Sequence, residues 1–217
     1  MLNCFEKLNP IYLALEQSAE EIIDQLRGNR YLIPKFLTPE VLPSAVTVNW
    51  IEERIVEGIA KHNSRLAVID HLGYINDMPE QFRRENLAYR IGQVMKGLKG
   101  LAKKWNAIIV LLAHISQHDE DRPPSRTDIK NSSDIVQESD MVILLWRKNS
   151  VKNKVRVYQN KTMLSIQKNR RTGKNATVGL DFDTSTGMFK ESVDGWVESM
   201  VQAAQQAQLV EDSYDEL

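Results

Sequence analysis

Three polar residues stand just past apolar runs. Glu16 follows Ile11–Leu15, Asp70 follows Leu66–Ile69, and His114 follows Ala107–Ala113. All three could converge on one crevice and serve a bound nucleotide. A partly desolvated Glu16 could orient and deprotonate a water. Asp70 could hold the Mg²⁺ of a nucleotide, often through water. His114 could donate a hydrogen bond to the terminal phosphate and report its loss. Each also has a plainer reading. Asp70 fits a strand-end helix cap, Glu16 an acid favoured by a helix N-terminus, and His114 a structural histidine.

Basic residues form a second set. Lys168 and Arg170 lie two apart in Gln167–Lys168–Asn169–Arg170–Arg171–Thr172–Gly173. On an extended strand they would share a side and could reach a phosphate, in this chain or in a neighbour. A solvated basic hairpin explains them equally simply. The polar stretch His118–Ser133 contains Pro123 and Pro124 and carries Arg122, Arg126 and Lys130. It reads as a loop that follows a nucleic-acid backbone or as an ordinary surface loop.

Bringing Glu16, Asp70 and His114 into one crevice requires an open parallel sheet, which places ligands at the carboxyl ends of its strands. The apolar pattern predicts one. Ile11–Leu15 is a short strand. Ser18 with Glu21 is a capping box, Ile22, Ile23 and Leu26 continue it as a helical face, and Gly28 can end it. Pro34, Pro39 and Pro43 predict loop, with a short strand at Val46–Val48. Ile51, Ile55 and Ile59 predict a helix over Trp50–His62. After the Leu66–Ile69 strand, the recurrence of Leu87, Ile91, Val94, Met95, Leu98, Leu101 and Trp105 predicts a long amphipathic helix. Ala107–Ala113 and Met141–Trp146 are further apolar strands. Strands apolar on both faces and separated by helices predict an α/β fold with a mostly parallel sheet covered on both sides. Val155–Tyr158, Met163–Gln167, Thr177–Phe182 and Met188–Lys190 read as antiparallel strands added at its edge.

The chain has 217 residues, enough for one large domain. Its single cysteine, Cys4, excludes an intrachain disulfide framework and fits a reducing compartment. The longest apolar run, Ala107–Ala113, is too short to span a bilayer, and no signal peptide is read. A cytoplasmic location without a membrane partner follows as the expectation. The net charge of −1 hides an uneven distribution. Met141–Asn175 holds ten basic residues and no acid, whereas Glu191–Leu217 holds seven acids and no Lys or Arg. A basic segment and an acidic tail are predicted, with a domain over 1–190 and the tail over 191–217.

Each signal is weak, but their order is specific. The strings Leu13–Ala14–Leu15–Glu16, Val68–Ile69–Asp70–His71, Ala113–His114–Ile115, Arg126–Thr127–Asp128–Ile129–Lys130 and Lys168–Asn169–Arg170 follow one another between Pro10 and Lys190. In that order they resemble the motor domain of DnaB-type hexameric replicative helicases, in particular the branch of phage primase–helicases and mitochondrial Twinkle. The resemblance implies a RecA-like fold with Glu16 as catalytic base, Asp70 as Walker B acid and His114 as phosphate sensor. Lys168 and Arg170 would be the pair inserted into the neighbouring subunit's ATP site. Arg171 stands where close relatives have an apolar residue, so either arginine could be the finger. Arg122, Arg126 and Lys130 would lie in or beside the loop lining the central channel. The implied cofactors are ATP or another NTP and Mg²⁺. The implied partners are single-stranded DNA, a ring hexamer of the same chain, and a primase or helicase loader, with 5′ to 3′ polarity.

One departure is large. The family needs a phosphate-binding P-loop, G-x-x-x-x-G-K-[ST]. Gly92 and Gly97 have the spacing but are followed by Leu98–Lys99, and Gly173–Lys174 has no upstream partner. The motif is therefore expected outside these residues, and the chain is expected to hydrolyse ATP poorly alone. The alternative is a non-catalytic RecA-like module that binds DNA or a helicase.

Overall fold

The computed structural model describes residues 9–26, 42–75, 87–115, 122–129, 132–152, 155–200 and 202. Strand β1 (Ile11–Ala14) runs into the Ser18 cap of helix α1 (Ala19–Leu26). The box closes as its residue types require. The Ser18 amide donates to Glu21 Oε2 at 2.8 Å, and the Glu21 amide donates to Ser18 Oγ at 3.2 Å. Gly28 and the proline-rich stretch up to residue 41 lie outside the described residues, as does Lys130. Helix α2 (Val48–His62) starts two residues earlier than its isoleucine spacing suggests, because Thr47 Oγ1 accepts from the Trp50 amide at 3.2 Å. Asn63 ends it in the left-handed region. The strand expected at Val46–Val48 reduces to a single bridge between Val46 and Ile75.

Strand β2 (Leu66–Asp70) lies between β1 and β3 (Ile108–Leu111), parallel to both. The amphipathic helix α3 (Leu87–Lys104) buries Val94, Met95, Leu98 and Leu101, and α4 spans Ser132–Glu138. Lys99 Nζ joins these two helices by donating to the Glu138 carbonyl at 2.7 Å. Leu13, Ile51 and Ile69 are fully shielded from solvent, each worth about 1.5–3 kcal/mol of apolar burial. Gly58 lets α2 approach β1: a Cβ there would lie 2.0 Å from Ile11 Cδ1. Among the described residues these elements belong to one compact unit, Met1–His118 with Arg126–Ser139.

The remaining described residues, 122–125 and 140 onward, fall in a second unit. The antiparallel strands expected after Met141–Trp146 are observed, and among the described residues Met141–Trp146 itself has no parallel partner. It opens β4 (Met141–Lys152), which pairs antiparallel with β5 (Val155–Asn169), and β6 (Ala176–Asp183) and β7 (Met188–Glu191) extend that sheet. The reason is chain length: two residues separate β4 from β5, and a parallel crossover needs a dozen or more. Asn160 does not interrupt β5, so two expected strands are one. Val142, Leu144 and Trp146 are buried while Met141, Ile143 and Leu145 are exposed, the period of two expected of a one-sided strand. A helical turn at 196–200 packs Val197 against Trp146 and Met163. Asp194, near the start of the acidic tail, pairs with Lys161, which also meets Asp181 at 2.7 Å.

A sheet covered on both sides is likewise only partly observed. Along β3, Ile108 is 54% and Val110 44% exposed, and Leu112 just beyond is 39% exposed. A strand's own apolar residues do not decide its burial; the elements packed on each face do.

Candidate active site

Parallel pairing in register sets the site. Ala14 is opposite Asp70, and Ile69 is opposite Leu111. The ladder continues past the strands, with the Leu15 amide donating to the Asp70 carbonyl at 2.8 Å and the Leu72 amide to the Leu112 carbonyl at 2.9 Å. Glu16, Asp70–His71 and His114 therefore leave the same end of the sheet, the carboxyl ends of β1, β2 and β3. The peptide between Asp70 and His71 is cis.

The sequence-predicted Glu16 and His114 are brought together by a residue to which sequence reasoning gave no role, His71. His71 Nδ1 lies 3.1 Å from Glu16 Oε2 and, in the tautomer protonated there, donates to the carboxylate. The rings of His71 and His114 stack with centroids 3.9 Å apart and planes inclined by 23°. Tyr74 meets the His71 ring edge-on at 5.0 Å. The His71 side chain is 10% exposed and that of Glu16 46%, so a fixed imidazole orients a carboxylate that reaches solvent. Gly73 makes room for this ring: a Cβ there would lie 2.8 Å from His71 Nε2.

Asp70 has its own partner. The Tyr12 hydroxyl donates to Asp70 Oδ2. Burial first, then this hydrogen bond and the carboxylate charge, push the Tyr12 phenol well above its ordinary range. Tyr12 thus stays a neutral donor that orients Asp70. Its signal was its place in the register: it sits opposite Val68, two residues before Asp70, and residues two apart on neighbouring strands share a face. A half-buried carboxylate at a strand end supplies the hard oxygen that Mg²⁺ prefers, so Asp70 fits the metal's donor chemistry. The P-loop has no counterpart in the 217 residues.

The basic candidates are distributed along the second unit and its neighbouring segments. β5 ends at Asn169, so Lys168 is on the strand and Arg170 on the turn beyond it. The same-side argument for the pair therefore does not apply. Arg170 donates its backbone amide to the Asp140 carbonyl at 2.8 Å, and its guanidinium lies 3.3 Å from Asp140 Oδ1. Asn169 Oδ1 caps the turn by accepting from the Arg171 and Thr172 amides at 3.2 and 3.3 Å, and Gly173 takes the positive φ of 67° that follows. Arg170, Arg171 and Lys174 are exposed. Other bases of the stretch serve the sheet: Arg147 lies over Tyr158 and Phe182, Lys148 over Trp196, and Arg156 donates to Asn149. Arg122 is exposed, and Arg126 is exposed in a short 3₁₀ turn, Arg126–Asp128.

Comparison with known proteins identifies the family and the fold. Residues 40–191 match the family described as DnaB-like helicase C terminal domain. The replicative DNA helicase DnaB of Mycoplasma genitalium is 29% identical over 152 residues, 67% of this chain and 32% of that protein. Two solved structures superpose with TM-scores of 0.67. One is a DnaB-like replicative helicase described with its interactions with primase, at 19% identity over 83% of this chain and 49% of the other. The second is described as an ATPase domain, at 20% identity over 83% of this chain and 73% of the other. At such identity these likenesses establish the RecA-like fold. The chain belongs to the DnaB-like helicase C-terminal domain family. It spans about a third of the length of the relative it matches. The family match includes Asp70, His71, His114, Lys168, Arg170 and Arg171 and begins after Glu16. Among the described residues, no helix is long and apolar enough to cross a membrane.

Proposed function

We propose that this chain supplies most of the ATP-driven motor domain of a replicative DNA helicase, and that a P-loop outside these 217 residues completes it. The observation that carries the reading is the convergence of Glu16, Asp70, His71 and His114 at the carboxyl ends of three parallel strands. In this reading Glu16, held by His71, takes the proton of the attacking water. Asp70, oriented by Tyr12, is the residue that would hold Mg²⁺, which when bound neutralises developing phosphate charge. His114 senses the terminal phosphate of ATP or another NTP. Lys168 with Arg170 or Arg171 reaches the ATP site of the next subunit in a ring hexamer. Arg122, Arg126 and Lys130 follow single-stranded DNA in the channel, with 5′ to 3′ movement. The motor spans 1–190, and the acidic tail over 191–217 starts by packing on its own sheet. A primase or loader as partner, a cytoplasmic location and kinship with the phage primase–helicase and Twinkle branch belong to the same proposal.

The exposed apolar faces of β3 and β4 support an incomplete motor, since patches of this kind mark surfaces that other polypeptide covers. The same faces, with the missing P-loop, favour a second reading: a non-catalytic RecA-like module that docks on DNA or on helicase subunits. DNA-stimulated ATPase activity separates the two. The chain alone is expected to turn over poorly, and a version extended upstream through a P-loop to turn over strongly. An extended protein with no DNA-stimulated ATPase activity would overturn the helicase reading.

A further inference from the structure

The corner that holds Glu16 groups two imidazoles with a carboxylate. One ligand atom each from Glu16, His71 and His114 lies within 4.8 Å of the others. Two imidazoles with one carboxylate are a donor set for borderline first-row ions such as Zn²⁺, whereas Mg²⁺ takes oxygens. We propose that Glu16, His71 and His114 form a site for one zinc-class ion, separate from the Asp70 carboxylate.

Two features favour it. The ligands come from the ends of three hydrogen-bonded strands, so the backbone already positions them. The His71 and His114 rings, stacked at 3.9 Å, must tilt apart so that both nitrogens turn to the ion. Glu16 is half exposed, leaving an entry path and a fourth position for water, the arrangement of an open zinc site. Ligand atoms on one Zn²⁺ are about 3.4 Å apart at bond lengths near 2.1 Å; His71 Nδ1 and Glu16 Oε2 are already 3.1 Å apart, and the wider separations, at most 4.8 Å, must close. Binding through Nδ1 would move the His71 proton to Nε2 and replace the His71–Glu16 hydrogen bond with two bonds to the ion. It would also withdraw Glu16 from water activation; that consequence rests on the helicase reading, whereas the binding itself does not.

The test is metal binding by the full 217-residue chain, with no activity assay. Zn²⁺ is titrated against a chromogenic chelator, and Co²⁺ serves as a spectroscopic substitute. One Zn²⁺ per chain is expected, with an intense visible Co²⁺ spectrum of four-coordinate type that Zn²⁺ abolishes. His71→Gln, His114→Gln and Glu16→Gln should each weaken binding by more than the roughly 10–100-fold that loss of an outer-shell partner costs. His62→Gln, His118→Gln and Cys4→Ser should leave it unchanged. Absence of stoichiometric binding, an octahedral Co²⁺ spectrum in the wild-type chain, or loss of binding only in the second set of variants would overturn the proposal. The wild-type Co²⁺ spectrum decides the matter even where a variant fails to fold.

Discussion

The two units use charge differently. In the first, polar groups of the candidate site stand at the ends of short apolar strands, and each is oriented by a neighbour: Glu16 by His71, Asp70 by Tyr12. In the second, basic residues line long antiparallel strands and their turns, and several are occupied by the sheet itself, as Lys161 is by Asp181 and Asp194. A parallel sheet gathers polar groups at the carboxyl ends of its strands, whereas an antiparallel sheet with an exposed turn presents charge outward. In the proposed reading, hydrolysis falls to the first unit and recognition of a neighbour's phosphate to the second.

The largest expected effect lies in the exposed turn. In the extended protein, alanine at whichever of Arg170 and Arg171 is the finger should lower the turnover number by about 10³–10⁵, while the other should have a far smaller effect. Thermal melting should barely move for either, because both are exposed. If neither variant lowers turnover, the division of labour between the units breaks down.

Core substitutions sharpen the same division in stability. Ile69 is fully buried in the central strand of the first unit, and Ile69→Ala should destabilise it by about 2–5 kcal/mol. Met163→Ala, in the cluster of Trp146 and Val197, should act on the second. Calorimetry of both variants is expected to show the loss in different transitions if the units unfold separately, and in one shared transition if they do not.

Gly73→Ala is a finer probe. The added methyl would crowd His71 Nε2 and turn the ring away from Glu16. Turnover of the extended protein should fall by more than its melting temperature suggests. A variant with normal turnover would show that His71 does not position Glu16.

The smallest effects are in pH dependence. Hydrogen bonds from the Ser185 hydroxyl and amide hold the Asp183 carboxyl down at about 2. Its contribution to stability is present above pH ~4, the unfolded carboxylate value, and is lost as pH falls through about 2. Lys161 is shifted upward, chiefly by its hydrogen bond to Asp181 and then that to Asp194. Its contribution is present below pH ~10 and disappears above the unfolded lysine value as the pH rises. Tyr12, raised by burial and Asp70, gives the first unit a similar alkaline limb, which Tyr12→Phe should flatten. Denaturant melts across pH check all three.

Glu16, Asp70 and His114 were legible because each ends an apolar run, and a parallel sheet gathers such ends. Tyr12 was not, because a tyrosine inside an apolar strand reads as core until the register sets it two residues from Asp70. His71 stands in the Asp70 string without a role, since its contact spans fifty-five residues to Glu16. The antiparallel pairing of β4 with β5 follows from the two-residue link between them, whereas an apolar run alone does not encode its partner. The exposure of Ile108 and Val110 was illegible for a related reason, since burial depends on what packs against a strand.

The central claim, that Glu16 activates water, is tested most directly by single-turnover ATP hydrolysis in the extended protein, with nucleotide binding measured separately. Glu16→Gln is expected to keep nucleotide binding and to slow hydrolysis by about 10²–10⁴. A Glu16→Gln protein that binds and hydrolyses ATP at the wild-type rate would contradict it.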